Sequence, residues 1–413
     1  MYALVDANNF YASCERVFRP DLKDKAIMVL SNNDGCVIAR SQEVKDIGIP
    51  MGEPFFKCKD LIQKHDIQVF SSNFTLYGDL SSRLMRYLQS LSPYSEVYSI
   101  DECFLHFSPK EDFVRIGANA RAFVQHALGL PISIGFGRTK TLAKLANRLA
   151  KKERTGVYYL SPHLEDTILA QTPIDAIWGL GKGRCKSLET LGIYSAKSYK
   201  EADPQVIKKR LHTPGAQIQK ELSGTPCLSL ETQRPAKQSI LSSRSFGSKL
   251  SHFEDLKNAV ITNTLMALEK LRKDQQVAQM MYLFIQSSRH HYPYYKNSVA
   301  ISLSEPSSDT LVWVQALPKA LKEIYKPGIL YAKSGVLLTG LQDKHHSQQS
   351  LFTPLPQREE LMRVIDEMNE KWGKHTLTSA SLSQESAPWK MSQTQKSPAY
   401  TTKWTDLVTV KLA

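Results

Sequence analysis

The sequence predicts a multidomain protein of α/β and α+β folds, on three observations. Its 413 residues exceed one ordinary core, and domains of about 100–200 residues make it two to four. Through the first 165 positions, short apolar runs of strand length alternate with apolar residues at helical spacing, the pattern of an α/β sheet with an insertion. Beyond that point the character changes twice. Residues 166 to 230 are helical and basic, and a polar, proline-bearing linker then leads into a second stretch of mixed helix and strand.

In order, "YALV" (Tyr2 to Val5) reads as a short strand. Asn8-Asn9 then starts a helix carrying Phe10, Cys14, Val17 and Phe18 at helical spacing. "AIMVL" and "CVIA" flank "SNNDG", a strong turn signal, so residues 26 to 40 predict a β-hairpin, with a helix beginning near Ser41. A helix after Tyr77 ends near Ser92-Pro93, and "YSIDECFLHF" (Tyr98 to Phe107) reads as one strand. Phe113, Ile116, Ala120, Phe123 and Leu128 mark the next helix, and "PISIGF" and "GVYYL" two more strands. Between them "TKTLAKLANRLAKK" sets Leu142, Leu145, Ala146 and Leu149 on one face and Lys140, Lys144, Arg148 and Lys151 on the other. "ETQRPAKQS" (Glu231 to Ser239) is the linker. A helix over Asp255 to Arg272, the strand "MMYLFIQ" and shorter elements to about Leu341 form an α+β domain. "QDKHHSQQSLFTPLPQ" is polar and exposed, and the helix "REELMRVIDEMNEKWG" leads into a mostly polar end. Internal repeats are absent.

A net charge of +13 with 42% hydrophobic residues excludes a disordered chain and favours an anionic partner, nucleic acid first and an anionic membrane surface second. The N-terminus lacks a basic region and reaches an aspartate at position 6, which argues against a secretory signal. No apolar run is long enough to cross a bilayer, so a cytoplasmic location is expected. The six cysteines are scattered with no C-x-x-C, so they predict neither a zinc site nor a disulfide framework.

Asp6 ends the first strand, and Asp101 with Glu102 interrupts an apolar one. An isolated Asp-Glu pair is usually a solvated loop charge; flanked by apolar residues and matched by a strand ending in aspartate, it asks for a cation. Two carboxylates about 4 Å apart repel by roughly 4 kcal/mol at an effective dielectric near 20. Hard oxygen ligands left partly open suit Mg²⁺, and two such ions would serve phosphoryl transfer.

"LVDANNFYASCE" and "YSIDECFL" resemble the two carboxylate motifs of Y-family translesion DNA polymerases, and "GFGRTKTLAKLANRLAK" the lysine-bearing helix start that follows them. "SNNDGCVIARSQEVKDIGIPMGEP", "SSRSFG" (Ser242 to Gly247) and "SPAYTTKWTDL" narrow the similarity to the UmuC-type branch, that of the catalytic subunit of bacterial DNA polymerase V, over essentially the whole chain. The resemblance implies a right-hand architecture. Its ferredoxin-like palm is residues 1–25 and 76–165, the small fingers 26–75, and the helical thumb with a helix-hairpin-helix 166–230. After the linker at 231–239 come the little finger at 240–341 and a C-terminal tail at 342–413.

The same resemblance assigns roles. Asp6 and Asp101 would ligate both Mg²⁺ ions, with Glu102 near the primer 3′-hydroxyl and the Ala7 carbonyl a further ligand. The helix start at Asn9 and Phe10 would point its amides at the triphosphate. Tyr11 would be the steric gate beneath the sugar, Lys45 and Lys140 would meet the triphosphate, and Cys36, Val37 and Ile38 would roof the nascent base pair. Many relatives have an aspartate where this chain has Asn8 and a tyrosine where it has Gln42, so neither joins the set.

"AIWGLGKGRCKSLETLGI" resembles a helix-hairpin-helix in which Gly179 and Gly181 permit the turn and Lys182 and Arg184 support a DNA phosphate. Arg289, His290, His291 and Lys296 could face the duplex. "QQSLF" resembles a sliding-clamp peptide, with Gln348, Leu351 and Phe352 as anchors and Gln349 where leucine is more usual. The resemblance implies low-fidelity translesion synthesis from dNTPs on primer-template DNA in the SOS damage response, with a UmuD′-type dimer and a RecA filament as further partners. The rival classes are another palm-fold enzyme such as a nucleotide cyclase, and a non-catalytic DNA-binding or clamp-docking accessory.

Overall fold

A computed structural model describes residues 1–233, 235–290, 292–346, 358–373, 376–380, 382 and 389–407. The chain forms two compact units, Met1–Arg234 with Thr394–Ala413, and Pro235–Gln393.

The first unit opens with strand β1 (Tyr2–Ala7) and helix α1 (Phe10–Val17). Then follow β2 (Ile27–Leu30), β3 (Val37–Arg40), α2 (Gln42–Ile47), α3 (Lys59–Lys64), β4 (Gln68–Ser71) and α4 (Phe74–Ser90). Next are β5 (Ser95–Val97), β6 (Glu102–His106), α5 (Phe113–Leu128), β7 (Ile132–Gly137), α6 (Lys140–Lys152) and β8 (Val157–Tyr159). The helical end of the unit has α7 (Glu165–Gln171), α8 (Lys182–Glu189), α9 (Ala196–Glu201) and α10 (Pro204–Leu222).

The main sheet has the order β5-β6-β1-β7-β8. Central β1 runs antiparallel to both neighbours, β6 and β7. Alternation along β1 sorts its side chains: Ala3, Val5 and Ala7 join the core made with α1, α4 and α5, while Leu4 packs with Phe104 and with Ala143 of α6. Asp6 therefore falls on the face that α6 covers. That helix lies very close to β7, and Gly135 makes this possible, since a Cβ there would sit 1.9 Å from the Asn147 backbone nitrogen. Asn147 reinforces the contact by donating to the carbonyls of Ser133 (2.7 Å) and Leu4 (3.2 Å).

Two expectations from the sequence change here. Tyr98–Phe107 is not one strand, because β5 and β6 form a hairpin whose connection carries Asp101. Ser99 accounts for the turn: its Oγ accepts from the amides of Asp101 (3.2 Å) and Glu102 (3.0 Å) and donates to the Asp101 carboxylate (2.6 Å). The hairpin of residues 26 to 40 does form, with a third strand, since β4 pairs in parallel with β2 in the order β3-β2-β4.

In the second unit, β9 (Ile240–Leu250), α11 (Phe253–Lys273), β10 (Gln276–Ser287), β11 (Lys296–Ser307), α12 (Thr310–Ile324) and β12 (Tyr331–Asp343) give a sheet of order β11-β10-β12-β9. Buried Trp313, Leu268, Leu271 and Met281 centre its core. The region after position 342, expected as one tail, is shared between the units. Helix α13 (Glu359–Trp372) sets buried Met362, and with it Asp366, in the second unit, where Asp366 takes two hydrogen bonds from Arg272 of α11. The described residues from Thr394 onward pack in the first unit. Among the described residues no helix is long and apolar enough to cross a membrane.

Candidate active site

The carboxylates expected to converge do lie together at one end of the main sheet. Asp6 and Glu102 are direct cross-strand partners, and the Ala7 amide donates to the Asp101 carbonyl at 2.9 Å. Asp101 sits on the turn, close enough to Tyr11 that, after burial, its charge is the next cause holding the Tyr11 hydroxyl above its ordinary range. The Asp6 carboxyl is pushed up to about 6, chiefly by burial, with Lys151 opposing and the charges of Glu102 and Asp101 adding to the rise.

Lysines of α6 answer those charges. Lys151 Nζ lies 2.6 Å from Asp6, and Lys144 Nζ 3.0 Å from Glu102. Lys144 also lies over the rings of Tyr98 (4.7 Å) and Trp178 (5.1 Å), which fix its position. With these partners in place, no three acidic, histidine or cysteine side chains among the described residues are arranged to hold a metal ion as they stand. The donor set nevertheless fits a hard divalent cation, being three neighbouring carboxylates, of which half-buried Asp6 feels the charges of the other two and already draws a cation to itself.

Beside the carboxylates is a cavity of about 670 Å³ lined by Asn8, Asn9, Lys45, Lys151, Lys152 and Arg154 among others. Asn9 takes a left-handed conformation (φ 51°) at the start of α1 and accepts from Lys45 Nζ at 2.5 Å. Burial first, then repulsion from Arg40 and Lys151, holds the Lys45 ammonium below its usual range. Cations crowded in this way, next to the first-turn amides of a helix, form a receptor for a polyanion.

Lys140 is not among them. Its side chain is 5% exposed, and Nζ is bound by Glu96 and by the Ser229 carbonyl (2.7 Å), above the Phe104 ring. Because β7 runs antiparallel to β1, the chain enters α6 at the end of the sheet away from Asp6, and Lys151, eleven residues and about 16 Å later, returns to it. The lysine that meets the carboxylate end thus stands in the last turn of the helix, not at its start. The stripe of Lys144, Arg148 and Lys151 is the sequence signal for it, and reading that signal requires the strand direction.

The other predicted residues fall as follows. Phe10 is 4% exposed with its ring in the core, so only its main chain can serve a nucleotide. Tyr11 is half-buried, stacked on Tyr77 with centroids 4.5 Å apart. Val37 points into the core beneath β2 and β3, which leaves Cys36 and Ile38, both half-buried, of the expected roof. Gly179 has φ +85°, and a Cβ there would meet Ile218 at 2.7 Å, so glycine is required. Gly181 caps α8, Lys182 is exposed at its start, and Arg184 donates back to the Gly179 carbonyl at 2.7 Å, so it braces the turn. In the second unit Arg289, His290 and Lys296 are exposed. Gln348, Leu351, Phe352 and His291 lie outside the described residues.

Comparison with known proteins agrees along the chain. The impB/mucB/samB family matches residues 5–148 and its C-terminal domain residues 237–351, while a domain of unknown function matches residues 359–410. Protein UmuC of Salmonella typhimurium is 40% identical over the full length of both chains. DNA polymerase IV of Bacillus velezensis is 24% identical over 90% of this chain and 91% of its own. Among solved structures, a Y-family DNA polymerase chimera superposes with a TM-score of 0.66 at 17% identity, over 82% of this chain and 98% of that one.

Proposed function

Because this chain belongs to the impB/mucB/samB family, the UmuC-type Y-family DNA polymerases, we propose that the carboxylate end of its main sheet is the centre of template-directed, low-fidelity translesion synthesis in SOS mutagenesis. The observation that carries the reading is the Asp6–Glu102 cross-strand pair, with Asp101 on the adjoining turn and Asp6 joined through Lys151 to the cationic cavity. Residues 1–25 and 76–165 then act as palm, 26–75 as fingers, 166–230 as thumb and 240–341 as little finger.

Asp6, Asp101, Glu102 and the Ala7 carbonyl would hold two Mg²⁺ ions, which supply activation of the primer hydroxyl and neutralisation of phosphate charge. Lys45 and Lys151 orient the triphosphate, and Lys144 keeps Glu102 aimed at the primer end. Tyr11 lies beneath the sugar, where its ring collides with a ribose 2′-hydroxyl. Cys36 and Ile38 cover the base pair with little bulk, which leaves room for a damaged base. The amides at Gly179–Lys182 take a phosphate of the duplex, and in the second unit exposed Arg289 and Lys296 offer charge, and His290 a ring nitrogen, to DNA.

Primer extension on undamaged and lesion-bearing templates tests this, and a chain that extends neither would end the polymerase reading. Replacement Tyr11→Ala is expected to raise ribonucleotide incorporation while deoxynucleotide addition continues; unchanged sugar selection would remove Tyr11 from the gate. The sliding clamp, bound through Gln348, Leu351 and Phe352, the UmuD′-type dimer and the RecA filament are proposed partners in the cytoplasm. Pull-down of the full chain by each purified partner checks them, with Leu351→Ala and Phe352→Ala expected to abolish only clamp capture.

A further inference from the structure

The segment from Thr394 to Tyr400, inside the domain of unknown function, threads the region behind Tyr11. Its backbone extends the β4 edge, where the Ser71 amide donates to the Gln395 carbonyl (2.9 Å) and the Gln395 amide to Ser71 Oγ (3.0 Å). Two residues beyond the end of β4, the buried Asn73 caps α4 and sends its Nδ2 to the carbonyls of Ser397 (3.1 Å) and Pro398 (3.2 Å) and to Ser397 Oγ (3.0 Å). Tyr400 stacks on Phe18 at 4.7 Å.

At the centre is Glu15, fully buried on α1. One carboxylate oxygen accepts from Tyr77 Oη (2.6 Å) and from Ser397 Oγ (3.1 Å). The other oxygen is buried without a hydrogen-bond partner, so these two hydroxyls carry its solvation. Tyr77 is itself fully buried, and its ring is the platform on which Tyr11 stacks (16° between planes), with Phe74 edge-on at 6.0 Å. Tail serine, glutamate, tyrosine and Tyr11 thus form one continuous stack of contacts.

We propose that Ser397, acting through Glu15 and Tyr77, positions the Tyr11 ring and so sets sugar selection; the C-terminal segment is then part of the specificity apparatus. The proposal rests on Tyr11 being the gate. A ring held on one face by a hydrogen-bonded platform cannot yield to a 2′-hydroxyl, whereas a loosened platform lets it tilt away.

The test measures kcat/KM for a dNTP and its matching rNTP with the full-length chain. Ser397→Ala and Tyr77→Phe are each expected to cut discrimination roughly tenfold, the scale on which a small displacement of a positioning group acts, by raising rNTP efficiency while dNTP efficiency changes little. Ser397→Thr, which keeps the hydroxyl, is expected to select like the wild type. In a Tyr11→Ala background, Ser397→Ala is expected to add nothing. Equal losses for both sugars, or wild-type discrimination in Ser397→Ala and Tyr77→Phe while Tyr11→Ala loses it, would overturn the proposal and leave the gate standing. Unchanged discrimination in Tyr11→Ala would bring down both.

Discussion

Replacing Asp101 by alanine is expected to lower primer extension by at least about 10²–10³-fold, the usual consequence of deleting one group that stabilises transition-state charge. Asp6→Ala and Glu102→Ala are expected to match it, because in the proposed function the three carboxylates hold the same metal ions as one unit, and single losses within a unit do not add. Folding is expected to survive. Asp6 is a half-buried acid with its carboxyl pushed up to about 6, so the fold carries it at a cost. The turn at Asp101 is held through the Ser99 hydroxyl to main-chain amides, which alanine retains. Single-turnover extension, alongside thermal melting of each variant, separates lost chemistry from lost structure. Extension by Asp101→Ala at the wild-type rate would refute the assignment.

The second large effect divides two lysines of one helix. Lys140→Ala strands Glu96 in the interior, its partners reduced to the Glu231 amide, and breaking such a buried pair costs about 3–5 kcal/mol. A clear drop in melting temperature is therefore expected, with little change in KM for dNTP in the protein that stays folded. Lys151→Ala is expected to do the opposite, raising KM for dNTP about tenfold or more through loss of a charge-assisted phosphate contact with little loss of stability, since its side chain is 38% exposed. Denaturation midpoints and steady-state kinetics on both variants decide it. If Lys140→Ala rather than Lys151→Ala weakened dNTP binding, the triphosphate contact would return to the start of the helix.

Much of this arrangement is legible in the amino-acid order. Asp6 and Glu102 can be foreseen as neighbours because each ends or begins an apolar run, and that pattern survives burial. Cross-strand direction cannot be read from one sequence, and it alone decides which end of α6 meets the carboxylates; periodicity ranks Lys140 and Lys151 equally, and only the run of β7 separates them. Similarly, a single serine within "YSIDE" bends the chain, because a side-chain hydroxyl that satisfies two amides leaves no trace in hydrophobic periodicity. The partnership of Glu15 with Ser397 is hidden for a different reason: two polar residues 382 positions apart carry no local sign of each other.

The close seat of α6 on Gly135 has one more consequence. Lys144 and Lys151 stand seven residues apart, just short of two full turns and about 10.5 Å along the axis, so one rigid rod delivers both ammonium groups to one row of acids. Within that interval side chains can be exchanged, but the count of residues cannot. One inserted residue would swing Lys151 through about 100° and leave Asp6 unanswered, with Lys144 still at its post. The helix works as a gauge block, and what it conserves is length.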